Sequence, residues 1–228
     1  MAISPQSIFD VYTKRKVAEK VNNWSWDGEQ NFIDLVEKNQ SEGMIVVEIG
    51  CYDGATTRKY IDTVKKNNGH VIVIDTFAGT IPTEETKKLD PNYAQNQNNP
   101  HWKGSHNYLL YDTFLEKFKD YRDMMTIHKG FSFNKIPLLP DNCDIIFIDA
   151  DHIYESVKKD IELSLPKVKK GGILSGHDLN SFDYVNTYTQ EELRVDFYNG
   201  HHPGVSQAVF EFFGKTETSG SVWYTTIK

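Results

Sequence analysis

The chain has 228 residues, 39% of them hydrophobic and 13% aromatic, enough to bury roughly 70% of its unfolded-state surface in a single domain, so global disorder is excluded and two equal domains are not expected. Acidic residues outnumber Lys and Arg by 32 to 25, a formal net charge of -7, which disfavours nucleic acid and anionic membrane surfaces as partners. The two cysteines, Cys51 and Cys143, form no CxxC pair, and no segment reaches the roughly 20 apolar residues of a membrane span or resembles a signal peptide, so a soluble cytoplasmic protein is expected.

Residues 1–40 read as a helical extension of two short helices, the second running up to Gly43, with Asn22-Asn23 and Asp27-Gly28 between them. Trp24 and Trp26 either line the mouth of a site or glue a terminal helix to the core. From Met44 the pattern changes, and residues 41–228 read as the main domain. MIVVEIG is a short apolar run that suits a strand covered on both faces. Ile61 and Val64 then mark a helix that ends at Asn67-Asn68-Gly69, and HVIVIDTF follows as a second strand, completing a βαβ unit.

Residues 78–107 are polar, contain three prolines and are too long for an ordinary connection; a lid or substrate loop is one reading, an unstructured excursion the other. Leu110, Phe114 and Phe118 mark the next helix, MMTIHKG a strand, and FSFNKIPLLPDN a loop or short helix. CDIIFIDAD is the clearest central strand, an apolar run ending in carboxylates. A helix is expected over 154–168, with Lys167, Lys169 and Lys170 at its end and Gly171-Gly172 as its cap. GGILSGHD supplies another strand. Val205, Ala208, Val209, Phe212 and Phe213 mark one more helix, and SVWYTTIK closes the chain as an antiparallel strand, because residues 214–221 are too few for a crossover helix. The fold class is therefore α/β, a doubly wound Rossmann-like sheet, mostly parallel with an antiparallel last strand.

Candidate chemistry gathers at the strand ends. In Glu48-Ile49-Gly50-Cys51-Tyr52-Asp53-Gly54 a strand feeds a turn and then a helix, and Gly50 and Gly54 permit backbone conformations that let a ligand approach the main chain. Tyr52 stands where a GxGxxG fingerprint needs its middle glycine. Asp75 ends the next strand about 20 residues on, where a carboxylate can accept ribose hydroxyls. Glu48 and Asp75, both expected to face the crevice, suit a ligand bearing a positive centre.

Asp149, Ala150, Asp151 and His152 follow the central strand, and His177-Asp178 follow the next. Ligands of open α/β sheets collect outside these ends, so the two clusters can converge. Asp149, Asp178 and His177 would suit a divalent cation such as Mg²⁺ or Mn²⁺, and His152 could accept a hydroxyl proton at neutral pH. Alternatively, Asp151 or His152 caps the following helix. His101, His106, His128 and the pair His201-His202 carry less weight. Ser132, after Gly130, either approaches the site or ends a turn.

EIGCYDGATT, VIVIDTFAG, IHKGFS, IDADHIYESVKKDIE, GGILSGHD and PGVSQAVFEFF together resemble the class I methyltransferases, with the likeness strongest toward metal-dependent O-methyltransferases of sugars and other small molecules. The resemblance implies a seven-stranded sheet with S-adenosylmethionine as cofactor. It implies further that Glu48, Gly50 and Gly54 lie around its methionine part, Asp75 on its ribose, and Gly130 and Ser132 near its adenine. Asp149, His177 and Asp178 match metal ligands, the His standing where an acidic residue is frequent, and His152 matches a proposed base. The acceptor is then a small hydroxyl-bearing molecule, a sugar among them, with no nucleic acid or membrane partner; a homo-oligomer is compatible. Two rivals stand beside this reading: a nicotinamide-dependent oxidoreductase, and a nucleoside-binding protein without catalysis.

Overall fold

The structure is a computed structural model that describes residues 28–78, 107–195 and 202–228. Seven strands form one sheet: β1 (Ile45–Ile49), β2 (His70–Asp75), β3 (Met125–Lys129), β4 (Cys143–Ile148), β5 (Val168–Gly176), β6 (Glu217–Ser219) and β7 (Val222–Thr226). Their order is β3-β2-β1-β4-β5-β7-β6. β1 pairs in parallel with β2 and β4, β2 with β3, and β4 with β5, whereas β7 runs antiparallel between β5 and β6. The expected antiparallel closing strand is present. Its hairpin partner β6 was not anticipated, because three exposed residues carry no apolar pattern.

Among the described residues six α-helices cover the faces: α1 (Gly28–Lys38), α2 (Ala55–Lys66), α3 (Asn107–Lys117), α4 (Ser132–Lys135), α5 (Tyr154–Ser164) and α6 (Pro203–Phe213). Successive strand residues point to opposite faces, and the core divides accordingly. Val46, Val73, Ile145 and Phe147 meet α1, α2 and α3, with Phe32 of α1 stacked on Phe147 at 3.9 Å. Val47, Ile74, Ile146 and Leu174 meet α5 and α6 on the other face. Burying apolar side chains of this size stabilises the fold by about 1.5–3 kcal/mol each, which is why central strands without alternating polarity are stable here.

One expected boundary is corrected. α5 stops at Ser164, and a single tight turn over Leu165–Lys167 contains Pro166, which has no N–H to continue a helix. Val168 already opens β5, so Lys169 and Lys170 are strand residues. Gly171-Gly172 is therefore no helix cap. It lies where the β4–β5 register shifts, Gly171 with φ 78 and its N–H donating to Ile227 O at 2.7 Å.

The extension's first helix, Trp24 and Trp26, the expected lid apart from its end residues, and His101, His106 and His201 lie outside the described residues. Among the described residues, no helix is long and apolar enough to cross a membrane.

Candidate active site

β1, β2, β4 and β5 all end on one edge of the sheet, and their last residues build the site. Gly50 follows β1 with φ 89, and a Cβ there would lie 2.0 Å from the Asp149 carbonyl oxygen. The close approach that needs glycine is thus made by the chain's own backbone, which joins the turn after β1 to the end of β4. Gly54, with φ 79, faces the rings of Phe118 and Phe114 in the same way. Between them Asp53 accepts the Ala55 N–H at 3.0 Å, fixing the entry to α2.

Asp75 reaches across from β2, Oδ2 accepting the Tyr52 N–H at 2.8 Å and Oδ1 the Phe77 N–H at 2.5 Å. Burial raises its pKa, opposed by these backbone donors. Glu48 departs from expectation. It shares the face of Val46, and its carboxyl lies beneath α2, 1% exposed, accepting from Thr57 Oγ1 at 2.6 Å and Tyr60 OH at 2.8 Å. It is a buried floor group, not a wall of the crevice, and burial pushes its pKa up to about 8 against those two hydroxyl donors. Gly130, with φ 145, meets only the flexible Lys135 side chain, and the Ser132 hydroxyl engages the buried Asp160 of α5. Burial pushes Asp160 up to about 7. Beside them Phe131 and Phe133 stack at 5.4 Å, each about half exposed.

On the other side of the seam, Asp149 and Asp151, which a continuing strand would place on one face, part company because β4 ends at Ile148. Asp151 turns back, Oδ1 accepting the Ile153 N–H at 3.2 Å and Oδ2 the Ser156 hydroxyl at 2.6 Å, and so serves the first turn of α5. Asp149 faces the cleft, 3.9 Å from His177 Nδ1. Asp178 is the hub. Oδ1 lies 3.1 Å from His177 Nδ1 and Oδ2 lies 2.9 Å from His152 Nε2. His177 Nε2 meets Ser221 Oγ at 2.9 Å, which orients the ring from β7's side. Burial disfavours charge on both partners, yet the Asp178 hydrogen bond and the Asp149 charge push His177 up to about 9, and the imidazoles hold Asp178 well below the usual carboxylate range. Asp178 has φ 60, a left-handed backbone that places its side chain among these rings.

The sequence profile of a family described as a methyltransferase domain matches residues 47–179, from β1 to just past β5. The chain belongs to the methyltransferase-domain family. Solved structures share the fold: the O-methyltransferase NovP at 18% identity and TM-score 0.55, over 89% of this chain and 78% of NovP; the O-methyltransferase from Bacillus cereus in complex with SAH at 14% and 0.55, over 98% and 90%; and cofactor-bound Rv0187 from MTB at 13% and 0.55, over 100% and 99%. No curated protein matches the chain. The sheet order is the class I arrangement of S-adenosylmethionine-dependent methyltransferases, and the nicotinamide-dependent rival falls away.

In this methyltransferase the donor set fits a divalent cation: one ligand atom from each of Asp149, His177 and Asp178 lies within 4.8 Å of the others. The cleft also fits a nucleoside, since Asp75 stands beside the glycine turn and the exposed aromatic pair flanks the β3–α4 turn. Sequence reasoning undervalued His202. This buried residue precedes α6, its ring centroid lies 4.2 Å from that of His152, and its Nε2 lies 3.5 Å from Asp178 Oδ1. Pro203 and Gly204 after it were the available signal, a helix start that a glycine lets pack closely.

Proposed function

We propose that this methyltransferase transfers a methyl group from S-adenosylmethionine to a hydroxyl of a small molecule, with sugars among the acceptors and a divalent cation, Mg²⁺ or Mn²⁺, assisting. The observation that carries the reading is the meeting of Asp149, His177, Asp178 and His152 at the ends of β4 and β5, directly across the Gly50 seam from Asp75's turn.

Gly50, Gly54 and Asp75 would hold the cofactor's methionine and ribose parts, Glu48 supporting the turn from below, with Gly130 and Ser132 toward the adenine. When bound, S-adenosylmethionine supplies an electrophilic methyl group whose thioether leaving group needs little help. Asp149, His177 and Asp178 would hold the cation, which supplies a Lewis acid for adjacent acceptor oxygens. The protein's share is positioning and proton acceptance. Asp178 contacts His152 through Nε2, so it fixes the ring's orientation and favours the tautomer with the lone pair on Nδ1. That nitrogen accepts the acceptor's hydroxyl proton as the new carbon–oxygen bond forms, and Asp178 stabilises the resulting imidazolium.

The test pairs a panel of hydroxyl acceptors, with and without Mn²⁺ or Mg²⁺, with the His152→Ala variant. Turnover should fall by roughly 10²–10⁴-fold, the usual share of a general base, while S-adenosylhomocysteine affinity stays within about twofold. Unchanged turnover removes His152 from the reaction. Cofactor binding without methylation of any acceptor would instead favour the non-catalytic nucleoside-binding reading.

A further inference from the structure

A second group of metal-ligating side chains lies on the far side of Asp178 from Asp149. Its geometry begins with Gly204. A Cβ at that position would lie 2.3 Å from the His152 carbonyl oxygen and 2.4 Å from the Tyr154 nitrogen, so the first turn of α6 rests directly on the backbone that opens α5. His202, just before this turn, is anchored by its own N–H, which donates to Asn180 Oδ1 at 2.7 Å. The two contacts bring the His202 and His152 rings to 4.2 Å, inclined at 57°. The left-handed backbone of Asp178 brings its carboxylate to the Nε2 atoms of both rings, Oδ2 2.9 Å from His152 and Oδ1 3.5 Å from His202. Taking one ligand atom from each residue, all three lie within 4.8 Å of one another.

We propose that His152, Asp178 and His202 form a binding site for a borderline divalent transition metal such as Zn²⁺ or Co²⁺, sharing Asp178 with the Asp149–His177–Asp178 group and otherwise distinct from it. Zinc–nitrogen bonds of about 2.0–2.1 Å set ligand atoms roughly 3.3 Å apart in a tetrahedral shell, and one nitrogen or oxygen from each residue already lies within 4.8 Å of the others, so small side-chain rotations reach that spacing. The chemistry of the two groups also differs. Two imidazoles with one carboxylate suit zinc, cobalt or nickel, whereas two carboxylates with one imidazole suit the harder Mn²⁺ or Mg²⁺. Resting on His152 as the base of the proposed reaction, an ion at this site takes its Nε2 and withdraws the ring from proton acceptance, so zinc would inhibit methyl transfer.

Binding is read without methyl donor or acceptor, so its outcome is independent of whether methyl transfer takes place. The chelator-stripped protein is titrated with Co²⁺, followed by calorimetry and visible absorption, alongside His202→Gln, His152→Gln and Asp149→Asn. One Co²⁺ should bind to the unmodified protein, more than about 10-fold more weakly to each histidine variant, and undiminished to Asp149→Asn. Equal affinity in His202→Gln, loss confined to Asp149→Asn, or no Co²⁺ binding overturns the proposal. Should a variant fail to fold, the histidine-ring NMR signals of the unmodified protein decide. Co²⁺ should broaden His152 and His202 first, and first broadening of His177 with His202 untouched assigns the ion to the other group.

Discussion

Glu48 beneath the glycine turn and Asp178 at the end of β5 are both carboxylates withdrawn from water, the first 1% exposed and the second with 16% of its side chain exposed. Their proton affinities nevertheless move in opposite directions, Glu48 up to about 8 and Asp178 well below the carboxylate range. The difference lies in their partners. On the β1–β2 side the donors are neutral, two hydroxyls for Glu48 and two backbone N–H groups for Asp75, so desolvation outweighs them. On the β4–β5 side the partners are imidazoles that can carry charge, and their attraction outweighs desolvation. One half of the cleft is a neutral, backbone-closed cradle; the other is a charge-balanced cluster ready to exchange protons or cations.

The two halves meet where Gly50 abuts Asp149, and the largest expected effect comes from forcing that seam. In Gly50→Ala the new methyl would overlap the Asp149 carbonyl at 2.0 Å and the Ala150 Cα at 2.6 Å, on a backbone with φ 89. Neither contact is with a flexible side chain, so relief requires moving β1 against β4. Urea unfolding should show a loss of more than about 4 kcal/mol, or no folded protein. A loss below about 1 kcal/mol would mean that the halves are not rigidly joined through this contact.

A smaller effect separates the halves by pH. Folded Glu48 keeps its proton up to about 8, whereas the unfolded chain releases it near the ordinary 4.5. The folded state thus binds more protons between those values, and stability falls as pH rises through that window, levelling off above 8. The contribution approaches but does not exceed ~1.4 kcal/mol per pH unit. Glu48→Gln mimics the protonated form and should flatten this part of the stability–pH curve, leaving the slopes from Asp160 and His177 in place. Curves that stay parallel between pH 4.5 and 8 would show that Glu48 is ionised in the fold.

These contrasts explain what was legible in the sequence. Apolar runs that end in Glu48, Asp75, Asp149 and Asp178 announce strands whose polar tips share an edge, and a parallel sheet brings such tips together with little ambiguity. The side on which a tip points is harder. Glu48 was expected in the crevice, yet period-two alternation sets it with Val46 under α2, and only the packed helix reveals Thr57 and Tyr60 as its partners. His202 is distant in sequence from His152 and comes to it through a backbone contact that Gly204 permits; no periodicity reports such an approach. The left-handed turn at Asp178 is equally silent, because Asp is compatible with many conformations. The end of α5 was misplaced because apolar residues continue in helical spacing through Val168, while Pro166 stops the helix before them.

The smallest expected effect asks whether the glycine turn is held from β2 alone. Lys117, the last residue of α3, places Nζ 2.6 Å from the Asp53 carbonyl oxygen and 3.1 Å from its carboxylate. Both side chains are partly exposed, so water and salt screen the pair, and Lys117→Met should cost less than about 1 kcal/mol. The turn itself keeps the Asp75 bond to Tyr52 and the Asp53 bond to Ala55, neither of which involves α3. S-adenosylhomocysteine affinity, measured by calorimetry, should therefore change by no more than about twofold, a free-energy difference of ~0.4 kcal/mol. A loss beyond about tenfold would place control of the turn on α3, and the cradle would depend on a charged side chain after all, as its neighbour across the seam does.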